Sequence, residues 1–130
     1  MKPPTIHHAT LTVTDIARSA DFYQGLFGPA EVASRQGPGW NRLRMLWPNG
    51  LMIGVTRFDG PGSDRFDPAR VGLDHIGFGC QTEREVRDWA AVMDDRGIPH
   101  GPIEEVPYAV VVTGRDPDNI PVEFYWSKLT

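Results

Sequence analysis

The chain is poor in several things at once. It has one cysteine in 130 residues, Cys80, so an intrachain disulfide is excluded. With no base beside it in sequence, that thiol reads as a small buried hydrophobe rather than a nucleophile. No apolar run approaches the roughly 20 residues of a membrane span, and the opening Met1-Lys2-Pro3-Pro4-Thr5 lacks the apolar region of a signal peptide. A cytoplasmic protein without a membrane partner is the expectation. Positive charge is also sparse: Lys and Arg stand singly and the net charge is −4, which leaves no basic stripe to hold a phosphate backbone and speaks against nucleic acid. Ordinary hydrophobic (40%) and aromatic (10%) content argues against disorder and permits a packed core.

What the chain does have is itself, twice. Ile6-His7-His8-Ala9-Thr10-Leu11-Thr12-Val13-Thr14-Asp15 returns as Leu73-Asp74-His75-Ile76-Gly77-Phe78-Gly79-Cys80-Gln81-Thr82, an offset of 67 (75 − 8). Further on the offset is 69: Trp47-Pro48-Asn49-Gly50 matches Asp116-Pro117-Asp118-Asn119, and Gly54 matches Glu123. The two extra residues fall near the end of a second helix. Two copies are too few for a solenoid, so a pair of modules sharing one core is the better reading. A single 130-residue domain is expected, with module one at 5–58, a linker at 59–72 and module two at 73–127.

Residues 6 to 13 alternate, with Ala9, Leu11 and Val13 on one face and His8, Thr10 and Thr12 on the other, the period of a strand between two environments. Asp15 is a good N-cap, after which Ile16, Ala20, Tyr23 and Phe27 recur at helical spacing until Gly28-Pro29. Three strands follow, at about 31–36, 42–47 and 51–58, with Pro48-Asn49-Gly50 as the turn between the last two. The module is βαβββ. Gly60 to Arg70 has the composition of an exposed connector or flap. The second copy predicts a strand over 73–80, a helix with Thr82 and Glu85 as a capping box and Val86, Trp89, Ala90 and Met93 as its buried stripe, a stop at Gly97, and strands at 103–105, 109–114 and 121–126.

His8 and His75 hold equivalent places on the first strands, on the face away from the helix, and Glu123 has the same facing on a last strand. Sheets curved towards each other would bring the three to one cavity. Two imidazoles and a carboxylate form a divalent-metal site with positions left open for water or substrate. Tyr125 shares the face of Glu123 and is a candidate to bond a substrate oxygen, while His100 and Tyr108 are weaker candidates. Thr10, Gly54, Met52, Trp47 and Trp40 are candidate pocket residues, with Met52 sharing the facing of Gly54. His7 points away by parity. Glu104 and Glu105 are adjacent and so face oppositely, which makes a solvated edge.

The string His8-x-x-Leu11-x-Val13-x-Asp15-x-x-x-Ser19-x-x-Phe22-Tyr23-x-x-Leu26-Phe27-Gly28, the opening Asp74-His75-Ile76 and the ending Asp116-Pro117-Asp118-x-x-x-Val122-Glu123-Phe124 resemble the vicinal oxygen chelate superfamily. Glyoxalase I, extradiol dioxygenases, fosfomycin resistance enzymes and bleomycin resistance proteins belong to it. The resemblance implies an α+β fold of paired βαβββ modules forming a cupped, mostly antiparallel sheet, with metal ligands on His8, His75 and Glu123. It also implies a homodimer whose sites are shared between chains.

One departure bears on the chemistry. Glyoxalase I-like members carry a further carboxylate where this chain has Gly54, which weakens a lyase or isomerase reading. A fosfomycin-type thiol transferase should carry several cations in module two, where only Arg115 stands near the strands. An extradiol-type dioxygenase with Fe2+ is therefore the first expectation, with Mn2+, Ni2+ or Zn2+ as other metals and a small oxygenated molecule as substrate. The opposing class is a metal-free drug-binding protein similar to bleomycin resistance proteins.

Overall fold

The computed structural model describes residues 1–60 and 64–130. The Pro61-Gly62-Ser63 part of the expected connector lies outside them. The chain divides into two compact units, Met1–Asp64 and Arg65–Thr130. They are referred to below as modules one and two.

Module one runs β1 (Ala9–Thr12), α1 (Ile16–Phe27), β2 (Glu31–Gly37), β3 (Trp40–Leu46) and β4 (Met52–Phe58). Its sheet has the order β1-β4-β3-β2, with β1 parallel to β4 and the other pairs antiparallel. Module two runs β5 (Ile76–Gly79), α2 (Glu83–Asp95), β6 (Glu104–Val106), β7 (Ala109–Arg115) and β8 (Pro121–Ser127), in the order β5-β8-β7-β6. The 67-residue offset carries β1 onto β5, and the 69-residue offset carries β3 onto β7 and β4 onto β8, end for end. α2 is one residue longer than α1, which locates part of the insertion at the helix end.

The first strands are shorter than the alternation predicts. β1 begins at Ala9 and β5 at Ile76, because each is an edge strand whose only partner starts there: Ala9 pairs with Ile53 and Ile76 with Val122. Beyond that point β4 turns away, with Leu51 O accepting from Trp47 N, and Pro121 has no N–H to extend β8. Both His8 and His75 thus stand one residue before a strand, at the open end of a sheet.

The helix starts follow the caps. Asp15 Oδ1 accepts from Arg18 N (3.0 Å) and Thr82 Oγ1 from Glu85 N (3.2 Å). Glu85 reaches back to Gln81 N rather than to the cap residue's own N–H. α2 ends in a Schellman arrangement: Gly97 has φ +66°, its N–H bonds Asp94 O, and Ile98 N bonds Met93 O.

Each helix buries one stripe on its own sheet. Ser19, Ala20, Tyr23 and Leu26 of α1 pack on β3 and β4, whose Met45, Ile53 and Val55 are fully enclosed. Val86, Ala90 and Met93 of α2 pack on Val110, Val112, Val122 and Phe124, and Trp89 stacks on Phe124 at 4.5 Å between ring centres. The opposite sheet faces carry the polar residues. No helix among the described residues is long and apolar enough to cross a membrane.

Candidate metal centre

In module two the register sets the site out in rows. Gly77, Glu123 and Thr113 lie side by side on β5, β8 and β7; Pro121 and Arg115 form the next pair, towards the end of the sheet where His75 precedes β5. Side chains two apart on a strand share a face, so Thr113 and Arg115 lie with Glu123 on the side away from α2, and the approach of His75 to Glu123 brings it to the same side. They line a cleft of about 440 Å³, together with Asp74, Pro121, Pro68 and Ala69.

His75 Nδ1 lies 2.7 Å from Asp74 Oδ1, and its Nε2 lies 3.5 Å from Glu123 Oε1. With Asp74 accepting the Nδ1 proton, Nε2 faces a carboxylate oxygen across a gap that a second ring proton or a metal ion would fill. Two electron-rich atoms facing one another call for a cation between them. Ligands about 2.0–2.2 Å from a metal at near-tetrahedral angles stand roughly 3.3–3.6 Å apart, which is the separation found. A carboxylate behind the far ring nitrogen is also the usual device for fixing a ligating histidine. The donor chemistry of this pair therefore fits a divalent ion. Among the described residues no three His, Cys, Asp or Glu side chains are grouped so as to hold a metal.

In module one His8 is exposed before β1, and its Nδ1 lies 3.0 Å from His7 Nδ1. His7 is thus in contact with His8, where strand parity set the two apart: neither residue is in a strand, so the alternation does not apply. Thr10 is exposed on β1, Gly54 is its ladder partner, and Met52 is half-buried two residues before Gly54. A Cβ at position 54 would come within 3.1 Å of Thr10 Oγ1, so the absence of a side chain there is matched by its neighbour.

Other expected site residues fall elsewhere. Trp47 is 4% exposed, donates from Nε1 to Gly28 O and meets Phe27 edge-on, which makes it core on the helix side rather than pocket lining. Trp40 lies beneath Arg42, 4.6 Å from the ring centre. Tyr108 is 53% exposed in the β6–β7 turn and does not line the cleft. His100 is bonded to Asp94 (2.6 Å) and Gly101 O (2.7 Å), which ties the end of α2 to the sheet margin. Tyr125 lies one row beyond Glu123, opposite Gly79 and Val111, and like Tyr108 it is not among the residues that line the cleft. Cys80 is half-buried, and burial, followed by the Glu85 carboxylate, pushes its thiol pKa up, so it is no ready nucleophile.

The sequence reading missed Asp74, Thr113, Pro68 and Ala69. Asp74 was signalled by its place next to His75. The connector residues were not, because what holds them is tertiary: Phe66 N donates to Asp118 O, Asn119 Nδ2 to Phe66 O, and Arg65 to Asn119 Oδ1. The segment after Asp64 is pinned to the β7–β8 turn and walls the cleft.

The model of the Glyoxalase/Bleomycin resistance protein/Dioxygenase superfamily matches residues 5–124. The chain belongs to this superfamily. Among solved structures, the glyoxylase/bleomycin resistance protein/dioxygenase domain from Frankia sp. EAN1pec is 28% identical, with a TM-score of 0.89 over 98% of this chain and 100% of that one. The fosfomycin resistance protein FosX from Listeria monocytogenes, complexed with Mn(II) and sulfate, is 21% identical, with a TM-score of 0.69 over 98% and 96%. The glyoxalase family protein from Enterococcus faecalis is 21% identical, with a TM-score of 0.74 over 93% and 96%. A search of curated proteins found no match. The superfamily fold accounts for the two mixed four-stranded sheets, each backed by one helix.

Proposed function

We propose that the chain is a divalent-metal enzyme acting on a small oxygenated substrate, with His75 and Glu123 as ligands and His8 as a third, supplied by this chain or by a second copy of it. The 3.5 Å approach of His75 Nε2 to Glu123 Oε1, with Asp74 behind the ring, carries the reading. A bound divalent ion would supply Lewis-acid polarisation of neighbouring substrate oxygens. The protein's own part is positional. Asp74 would hold the proton on His75 Nδ1 and leave Nε2 for the metal, and Glu123 brings negative charge to the cleft; Tyr125, one row beyond the cleft lining, would reach only a substrate that extends past Glu123. Three protein donors and no carboxylate at Gly54 favour oxygen chemistry on iron, of the extradiol type, over glyoxalase-type isomerisation. The Mn(II) complex of FosX supports manganese as the other metal to test.

Metal content decides the matter. Protein purified under nitrogen without chelating resin is expected to hold close to one ion per site, as measured by plasma mass spectrometry. Glu123→Ala and His75→Ala are expected to lose at least nine-tenths of it, and His8→Ala to lower affinity likewise. Iron would direct assays to catechols, and manganese, nickel or zinc to lyase and transferase substrates. A wild type that holds no metal and takes up none of the four on addition would make this a metal-free binding protein.

A further inference from the structure

The cleft in module two contains one cation that the metal reading does not use. Arg115 closes β7 and sits diagonally from Glu123 across the β7–β8 ladder, at the roughly 7–8 Å typical of such neighbours. Its Nη1 makes one long bond, 3.3 Å, to Asn119 O, and among the described residues no carboxylate pairs with it. Thr113, two residues back on the same face and directly opposite Glu123 in the ladder, adds a hydroxyl to the same cleft. A half-buried guanidinium that lines a cleft is a fork suited to a planar or tetrahedral oxyanion.

The charges in the cleft set a condition on that anion. Asp74 and Glu123 bring two negative charges and Arg115 one positive, a sum of −1 for these three side chains without a metal. A divalent ion on His75 and Glu123 reverses this to +1. A bound ion would therefore raise the cleft's affinity for an anionic ligand.

We propose that Arg115, assisted by Thr113, is a specificity-determining residue that anchors an anionic group of the substrate. The substrate class is accordingly a small molecule with neighbouring oxygens at one end and a carboxylate, or a similar oxyanion, several ångströms away at the other. This rests on the metal site proposed above. The cleft, about 440 Å³, has room for a molecule of that size.

Two probes with the same chelating end separate the roles, catechol and 3,4-dihydroxybenzoate, which differ by one carboxylate. Their affinities for Mn(II)-loaded protein under nitrogen are measured by calorimetry. Wild type is expected to prefer the benzoate by roughly 10- to 100-fold, the range for one charge-assisted anchor, and to lose the benzoate when Mn(II) is omitted. Arg115→Met should abolish the preference while keeping catechol and Mn(II) affinities within about twofold, and Arg115→Lys should restore part of it. Thermal melting of both variants checks that they fold. If wild type holds Mn(II) but binds both probes equally, or binds neither, or if Arg115→Met keeps the preference, this inference is overturned alone. Failure of wild type to take up Mn(II) overturns the metal reading and this inference with it.

Discussion

The two modules share one strand plan and use it for opposite charges. In module two the central row away from the helix is Gly77, Glu123, Thr113; the equivalent row in module one is Thr10, Gly54, Arg44. Where one has a carboxylate between two small residues, the other has a glycine between a hydroxyl and a guanidinium. Arg42 and Arg35 extend the basic character along module one, Arg42 donating to Thr56 Oγ1 and both lying against Trp40. Duplication thus preserved the ladder, which backbone hydrogen bonds define, and released the outward positions to diverge. The loss of metal expected for Glu123→Ala sharpens this most strongly, because it leaves module two with no more acid at that position than module one already has.

The helix-facing side shows divergence of another kind, in which the residue that fills the space comes from a different element. Module one fills the space under α1 with Met45 from β3, while module two has Gly114 at that place and fills it with Met93 from α2. A Cβ on Gly114 would stand 2.5 Å from Met93 Sδ and 3.4 Å from Pro99 O. Met93 is fully enclosed and has no room to retreat. Gly114→Ala is expected to destabilise by about 1–3 kcal/mol in denaturant unfolding, the usual cost of overpacking. A double variant with Met93→Ala should recover part of that. If the single variant were neutral, the exchange of Met45 for Met93 would not be a packing constraint.

The repeat, the caps and the helix stripes were legible in the sequence because each is a local pattern: period two, period 3.6, or a side chain three residues from the N–H it satisfies. His75 and Glu123 were legible as a pair because the repeat, at offsets of 67 and 69, marks the first and last strands of the second module, beside or on which they stand. What escaped depended on distant partners. Nothing local says that Trp47 will turn its Nε1 to Gly28 O, that β1 begins only at Ala9 because β4 turns away, or that Pro68 and Ala69 will be drawn over the cleft by Asn119.

Where the modules agree, equal treatment should give equal results. Asp15 and Thr82 cap their helices through the same bond to the third residue on. Asp15→Ala and Thr82→Ala are each expected to cost about 1 kcal/mol. Unequal losses, beyond about 0.5 kcal/mol, would mean that Glu85 on Gln81 N supports the second helix in a way module one lacks.

The smallest effect comes from how each helix end is fastened. Module one uses groups that do not titrate near neutrality, Trp47 Nε1 on Gly28 O and Ala30 N on Gln24 Oε1. Module two uses His100, whose two ring nitrogens both face acceptors, Asp94 Oδ1 and Gly101 O, so that only the imidazolium satisfies both. The Asp94 hydrogen bond, and then the Gly101 carbonyl, raise its pKa above the ordinary 6.5. A group whose folded pKa is raised contributes stability that is complete below its unfolded pKa and is lost as pH climbs through the folded one. Wild type should therefore exceed His100→Gln in stability by the most below about pH 6, with the margin shrinking as pH rises past 6.5. Asp94→Asn should flatten the same dependence, since it removes the larger cause of the shift. A margin constant from pH 5 to 9 would show that His100 fastens the helix as a neutral ring, and that the modules differ here in residue identity but not in their response to protons.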